Sequence, residues 1–249
     1  MGDDRILLLP PAFAFDPVMV DLWRGFRTLI DQLEAHFPVD LFHWSPEEGQ
    51  VAETPEQVID LIEGAIRPQH HVVDLGTACQ MLLVALTRRP ARSLTTAGLF
   101  SSAATLEAAG EFALAAALTA VTALAITPAQ IVPLAMEGAA PRDVETAIAA
   151  AELGIERANY HQLLARFHET DFTGRTTVDI PVLCLDVPFP TPGADRLFEL
   201  FKESIPNARR DELLIWPMRM QEAAGGRELA GKVIAFIQSV IAERGKVGG

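Results

Sequence analysis

Hydrophobic positions along this chain follow two alternating patterns. Short runs with few polar breaks occur at Arg5–Leu9, Val39–Trp44, His71–Asp74, from about Ser93, at Asp179–Asp186 and at Asp211–Trp216. Runs this short, apolar throughout and bounded by turn residues, predict strands covered on both faces. Between them the apolar period becomes helical. Trp23 to His36 puts Trp23, Phe26, Leu29, Ile30 and Leu33 on one face. Thr54 to about Ile66 opens with Thr54 as N-cap, Pro55 at the first position and Gln57 at the third, a helix-start signature. Met81, Leu82 and Ala85 line a helix that ends near Arg89, before Pro90. Further helices are predicted over Arg196–Ser204 and Glu228–Arg244, with Gly248-Gly249 as a tail. After Leu99 the pattern is helical and Ala-rich until about His168, with breaks at Thr127-Pro128, Gly138–Pro141 and Gly154. Alternating strands and helices predict an α/β protein. The expectation is a mostly parallel sheet of about six strands with helices on both faces, its core formed by 1–100 and 175–249 and its helical insertion by 101–174.

The middle of the chain, His71 to Leu99, carries the most informative local pattern. A strand runs into a turn at Gly76 and then into a helix. This is the frame of a nucleophile elbow, where the reactive residue sits at positive φ and small neighbours make room. Here the frame reads Gly76-Thr77-Ala78-Cys79-Gln80, so the nucleophile slot holds Ala78. A methyl group has no proton to give a base and no lone pair to attack a carbonyl.

Composition narrows the partners. The net charge of −13 argues against nucleic acid and anionic membranes, both of which recruit basic patches. Cys79 and Cys184 both sit in apolar surroundings and read as thiols of a reducing compartment. The N-terminal MGDDRILLLPP is not a signal-peptide pattern, so a cytoplasmic protein is expected. Phe112–Met136 is uncharged, but it is mostly Ala and Thr and is interrupted by Pro128 and Pro133. It predicts a buried or oligomer-forming helix pair and not a membrane span. A homodimer through these insertion helices is one expectation.

The order of elements resembles the α/β-hydrolase superfamily over nearly the whole chain. The helical insertion lies where that family carries its cap. Ile180-Pro181-Val182-Leu183 resembles the strand before the family's acid loop, and Ile205-Pro206-Asn207-Ala208-Arg209 the phrase before its last strand. The resemblance implies a catalytic triad, and the positions it assigns depart from that triad. The family's His-Gly after the first strand is Pro10-Pro11, although the Ala12 N–H could still face an oxyanion. The nucleophile slot is Ala78, the acid slot falls near Pro190, and the histidine slot falls at Arg219. No histidine follows His168. A Ser-His-Asp triad therefore cannot be assembled in the family's chain order.

Several other residues merit a chemical reading. Asp186 ends a strand at the ligand-binding edge and is the best surviving acid; a loop-capping role fits it as well. Arg219 would bring a fixed positive charge to the old histidine position. Cys79 stands one residue past the nucleophile slot at a helix N-terminus, where a thiolate is favoured; an inert packed thiol is the competing reading. Asp74 lies inside an apolar strand, where an unpaired carboxylate is costly. His70 and His71 point to opposite faces at the far end of the sheet, so no metal site is expected there. His161 shares a helix face with His168 and could touch a ligand under the insertion. Phe13, Phe15, Phe189, Trp216 and Met218, with Thr77, suggest the wall of an apolar pocket.

These readings lead to a hydrolase-fold protein that is not a conventional serine esterase, lipase or thioesterase. The first expectation is a pseudohydrolase that binds an apolar small molecule or a protein partner and needs no cofactor. One alternative is a cyclase, lyase or isomerase acting on an apolar carbonyl compound through Ala12, Asp186 and Arg219. Another is an acyl-transfer enzyme that depends on Cys79.

Overall fold

The sheet grows outward from β1 (Arg5–Leu9), whose run of aliphatic residues is buried from Ile6 to Leu9. β2 (Val39–Leu41) pairs on one side of it and β3 (His70–Asp74) on the other. β4 (Ser93–Ala97), β5 (Val182–Asp186) and β6 (Ala208–Glu212) follow in turn, giving the order β2-β1-β3-β4-β5-β6. Every pairing is parallel. The fold is described here from a computed structural model over residues 3–10, 24–42, 52, 54–75, 79–97, 129, 132–133, 136, 138–157, 178–186, 198–199, 202, 205–215 and 223–247. The predicted parallel sheet of six strands is therefore present.

The alternation of side chains along each strand feeds two separate cores. One face gathers Leu7, Leu9, Val72, Leu94, Val182 and Cys184 beneath α2 (Pro55–Ala65) and α3 (Cys79–Arg88). The other gathers Ile6, Leu8, Val73, Ala97, Leu183 and Leu185 beneath α1 (Arg24–Glu34), α4 (Pro141–Arg157) and α5 (Ala223–Val247). α1 buries Phe26, Leu29 and Leu33, the stripe expected from its period. α2 starts at the predicted cap: Thr54 Oγ1 accepts from the Gln57 N–H, and Gln57 returns a bond to the Thr54 N–H. This reciprocal box satisfies two of the donors that a helix start leaves open. α3 differs from the one-faced helix expected, because Met81 through Leu86 are all buried.

Three boundaries depart from the sequence expectation. The last strand is Ala208–Glu212, three residues earlier than the Asp211–Trp216 run predicts. Its alternation Ala-Arg-Arg-Asp-Glu is that of an edge strand, and the apolar run that follows leaves Leu214 81% exposed. The break expected at Gly154 is absent, since α4 continues to Arg157. The last helix is longer at both ends than Glu228–Arg244. Among the described residues no helix is long and apolar enough to cross a membrane. Most of Phe112–Met136 lies outside the described residues.

Candidate functional site at the carboxyl edge of the sheet

Strand order locates the site before any side chain does. The chain builds β2 on one side of β1 and every later strand on the other, so the topological switch falls between β1 and β3. In open parallel sheets the crevice for ligands lies at such a switch, outside the carboxyl ends of the strands. Leu9 and Asp74 are register partners there, so the segments after β1 and β3 leave the sheet side by side. In sequence, Ala12 and Phe13 follow β1, and Thr77 and Ala78 follow β3.

Asp186 stands at this edge, as its place in the sequence implied. It is the last residue of β5 and opposes Glu212 of β6. Its Oδ2 accepts a hydrogen bond of 2.6 Å from Arg210 Nε. The Arg210 guanidinium in turn lies 5.6 Å from the Phe198 ring centre, in cation–π range. The backbone of Asp186 is engaged as well, its carbonyl accepting from the Leu213 N–H at 2.8 Å. The carboxylate is thus oriented by a guanidinium. An arginine stays protonated and cannot carry a proton between nucleophile and leaving group. Arg210 lies one residue before the Asp211–Trp216 run that predicts the strand, so the sequence pattern does not mark it.

One register row below this edge crosses five strands as Leu9, Asp74, Thr96, Cys184 and Arg210. Asp74 and Thr96 are fully buried, and Thr96 Oγ1 donates to Asp74 Oδ2 at 3.2 Å. This hydroxyl is one of the groups that let a carboxylate reside inside an apolar strand. Cys184 is buried in mid-strand, as expected, and burial pushes its thiol up to about 12. A thiol of that kind is not a nucleophile near neutral pH.

At the opposite, amino-terminal edge the two histidines occupy the faces predicted for them. His70 Nδ1 accepts the Arg67 N–H at 3.0 Å, and a backbone N–H can only donate. The imidazole proton therefore sits on Nε2, 2.9 Å from Asp40 Oδ2. Arg5 clamps the same carboxylate through Nε and Nη2 at 2.9 and 2.7 Å. His71 joins Ser93 Oγ through Nδ1 at 2.7 Å and Asp4 Oδ1 through Nε2 at 3.1 Å. Arg92 pairs with that same Asp4 oxygen. Asp4, His71 and Ser93 are the residue types of a catalytic triad, joined in sequence by hydrogen bonds. His71 and Ser93 are both 0% exposed, so no substrate reaches the hydroxyl. The chain fastens β1, β3 and β4 together and has no catalytic access. Nothing in the sequence marks it, because His71 and Ser93 meet only through parallel strand register.

Among the described residues no group of three or more His, Cys, Asp or Glu side chains is arranged to hold a metal ion. Of the remaining sequence candidates, Ala12, Phe13, Phe15, Thr77, Ala78, His161, Phe189, Pro190, Trp216, Met218 and Arg219 lie outside the described residues. So does the side chain of Cys79, whose backbone opens α3.

No family model and no curated protein sequence matches the chain. Solved structures do. A hydrolase from Oleispira antarctica superposes with a TM-score of 0.61 at 12% identity, covering 96% of this chain and 92% of its own. An epoxide hydrolase from Bacillus megaterium gives 0.54 at 14% identity, over 97% and 94% of the two chains. A thioesterase of the prodiginine pathway in Streptomyces coelicolor gives 0.55 at 15% identity, over 94% and 86%. Likeness of this extent, with the all-parallel order β2-β1-β3-β4-β5-β6, establishes that the chain has the α/β-hydrolase fold.

Proposed function

We propose that this chain is an α/β-hydrolase-fold protein that has given up triad chemistry and binds an apolar small molecule at the carboxyl edge of its sheet. The ion pair of Asp186 with Arg210, at 2.6 Å, carries the reading. It commits the best surviving acid to a cation that cannot shuttle protons. Ala78 in the nucleophile slot and Arg219 in the histidine slot agree with it. The switch point between β1 and β3 is where open parallel sheets of this kind hold ligands, and the sequence supplies Phe13, Phe15, Phe189 and Trp216 as candidates for an apolar wall. Binding of a carbonyl compound agrees with the place of Ala12 in the sequence, shortly after the first strand, where the resemblance expects an oxyanion donor.

The test is native mass spectrometry of the purified protein, followed by denaturation in the same run. A bound small molecule released on denaturation is the expected result. In parallel, the protein is assayed against a panel of short and long acyl esters. Ester turnover that a serine-directed phosphonate abolishes would overturn the proposal.

A further inference from the structure

We infer that β2 is a self-pairing edge, through which a second copy of this chain extends the sheet antiparallel about a two-fold axis at Asp40. β2 ends the strand order on the side away from β6. The Pro38 carbonyl accepts from the Ile6 N–H of β1 at 2.9 Å, and the Phe42 N–H donates to the Leu8 carbonyl at 2.9 Å. The peptide groups of Asp40, midway between these two, face β1 in the same ladder. Those of Val39 and Leu41 therefore face away from the sheet. Neither residue has another hydrogen-bond partner for its N–H or carbonyl among the described residues. Open edges are normally guarded by Lys or Pro at such positions, whereas Val39 and Leu41 are aliphatic and half-buried. On the α1 face they form an apolar rim with Ile30 and Phe37, which are also half-buried.

Unpaired backbone beside apolar side chains is what an edge needs to take an added strand, and this edge is complementary to itself when reversed. With Asp40 on the axis, Val39 faces Leu41 of the second copy and Leu41 faces its Val39. Both are hydrogen-bonded pairs, so each outward N–H finds a carbonyl and each outward carbonyl an N–H. The aliphatic pairs meet on the α1 face, where contact of this kind supports an antiparallel junction. The axis stands perpendicular to the sheet, so the α1 faces of the two copies lie on one side and their apolar rims adjoin. Asp40 faces its own copy on the α2 face. Arg5 already holds that carboxylate through Nε and Nη2 at 2.9 and 2.7 Å, so two ion pairs meet at the axis and not two bare charges. Moving the axis to Val39 sets Phe37 against Leu41, but the Phe37 N–H already donates to the Leu33 carbonyl at 2.8 Å.

A junction of three-residue strands is small beside the interfaces of obligate dimers, so the association is concentration-dependent. Sedimentation velocity across a concentration series should show the mass rising from one chain towards two. Amide exchange followed by nuclear magnetic resonance reads the same event at the edge itself. The Val39 and Leu41 amides should slow about tenfold or more as the dimer fills. The Phe42 amide, bonded to Leu8, should be protected at every concentration. Leu41→Pro removes an outward N–H, leaves the bonds to β1 in place and should weaken self-association about tenfold or more. Val39→Lys and Leu41→Glu should each weaken it too, and an equimolar mixture of these two should recover it. The new base at position 39 of one copy then meets the new acid at position 41 of the other, while the native pair forms alongside. Far-ultraviolet circular dichroism confirms that each variant is folded. A wild-type chain that stays monomeric throughout, Val39 and Leu41 amides that do not respond to concentration, or a mixture that associates no better than its components would each overturn the inference.

Discussion

Cys184 shows how location decides the chemistry of a side chain. Its thiol is buried in mid-strand and its pKa is pushed up to about 12, first by burial and then by the charge of Asp186. Because the thiolate is the reactive form, Cys184 should resist iodoacetamide in the native protein at pH 7.5 and react once the chain is unfolded. Peptide mapping by mass spectrometry distinguishes the two states; labelling of the native chain at this residue would contradict the burial. Asp186 makes the complementary case, since its partner fixes its role. Removing the guanidinium with Arg210→Met takes a charge-assisted hydrogen bond of 2.6 Å from a mostly buried carboxylate, at a cost of about 1–3 kcal/mol in urea unfolding. Adding Asp186→Asn to that variant removes the buried charge and should recover part of the loss. A cycle of this kind isolates the pair itself. The position of Asp186 was legible in the sequence because a strand end is marked by the close of an apolar run. The identity of its partner was not, because partners across a parallel sheet are set by register between segments far apart in the chain. The Asp4–His71–Ser93 chain was hidden for the same reason.

Helix and strand boundaries were readable wherever local signals agreed. Thr54, Pro55 and Gln57 announced α2 with the side-chain bonds that its start then makes. β6 begins ahead of the apolar run that predicts it, because an edge strand needs only one side chain in two to be buried, and at Arg210 not even that. Glycine positions in α5 show what sequence alone leaves open. Gly226 and Gly231 look alike in sequence, but a Cβ at Gly226 would lie 2.0 Å from the Gly25 carbonyl oxygen of α1, while at Gly231 it would meet nothing within 4 Å. Gly226 is thus what allows α5 and α1 to cross in backbone contact. Gly226→Ala should force the two helices apart and lower the unfolding free energy by several kcal/mol, on the order of other severe overpacking. Gly231→Ala, on an exposed position of the same helix, should raise it by about 0.5–1 kcal/mol through helix propensity. Thermal unfolding of the two variants side by side separates packing from propensity, and a stabilised Gly226→Ala would mean that the helices do not touch there.

At the scale of the molecule, the amino-terminal edge of the sheet makes the fold sensitive to acid. Burial lowers the pKa of His70 and of His71, outweighing the opposing pull of Asp40 on the first and Asp4 on the second. Arg5 and Arg67 facing His70, and Arg92 and Arg244 facing His71, add to the depression. Both rings are neutral in the native state, and protonating His70 would set a new Nδ1–H against the Arg67 N–H that it now accepts. The unfolded chain, with histidines near pH 6.5, takes up these protons first. Stability is therefore full above that pH and falls as the pH drops from about 6.5 towards the native values. While the unfolded chain holds both extra protons the slope approaches about 2.7 kcal/mol per pH unit. A second loss follows at lower pH. Hydrogen bonding from Arg5 holds Asp40 down at about 2. Burial alone would raise Asp4, but bonds from Arg92 and His71 lower it, so both carboxylates contribute stability above about pH 4 that protonation removes. Urea unfolding from pH 8 to pH 4 should show a plateau, then a decline that begins near pH 6.5. His71→Gln loses one of the two titrations while keeping a hydrogen-bonding side chain, and should make that decline shallower even though its plateau lies lower. An unchanged slope in this variant would assign the acid sensitivity to other groups and leave the Asp4–His71–Ser93 chain as a mechanical fastening alone.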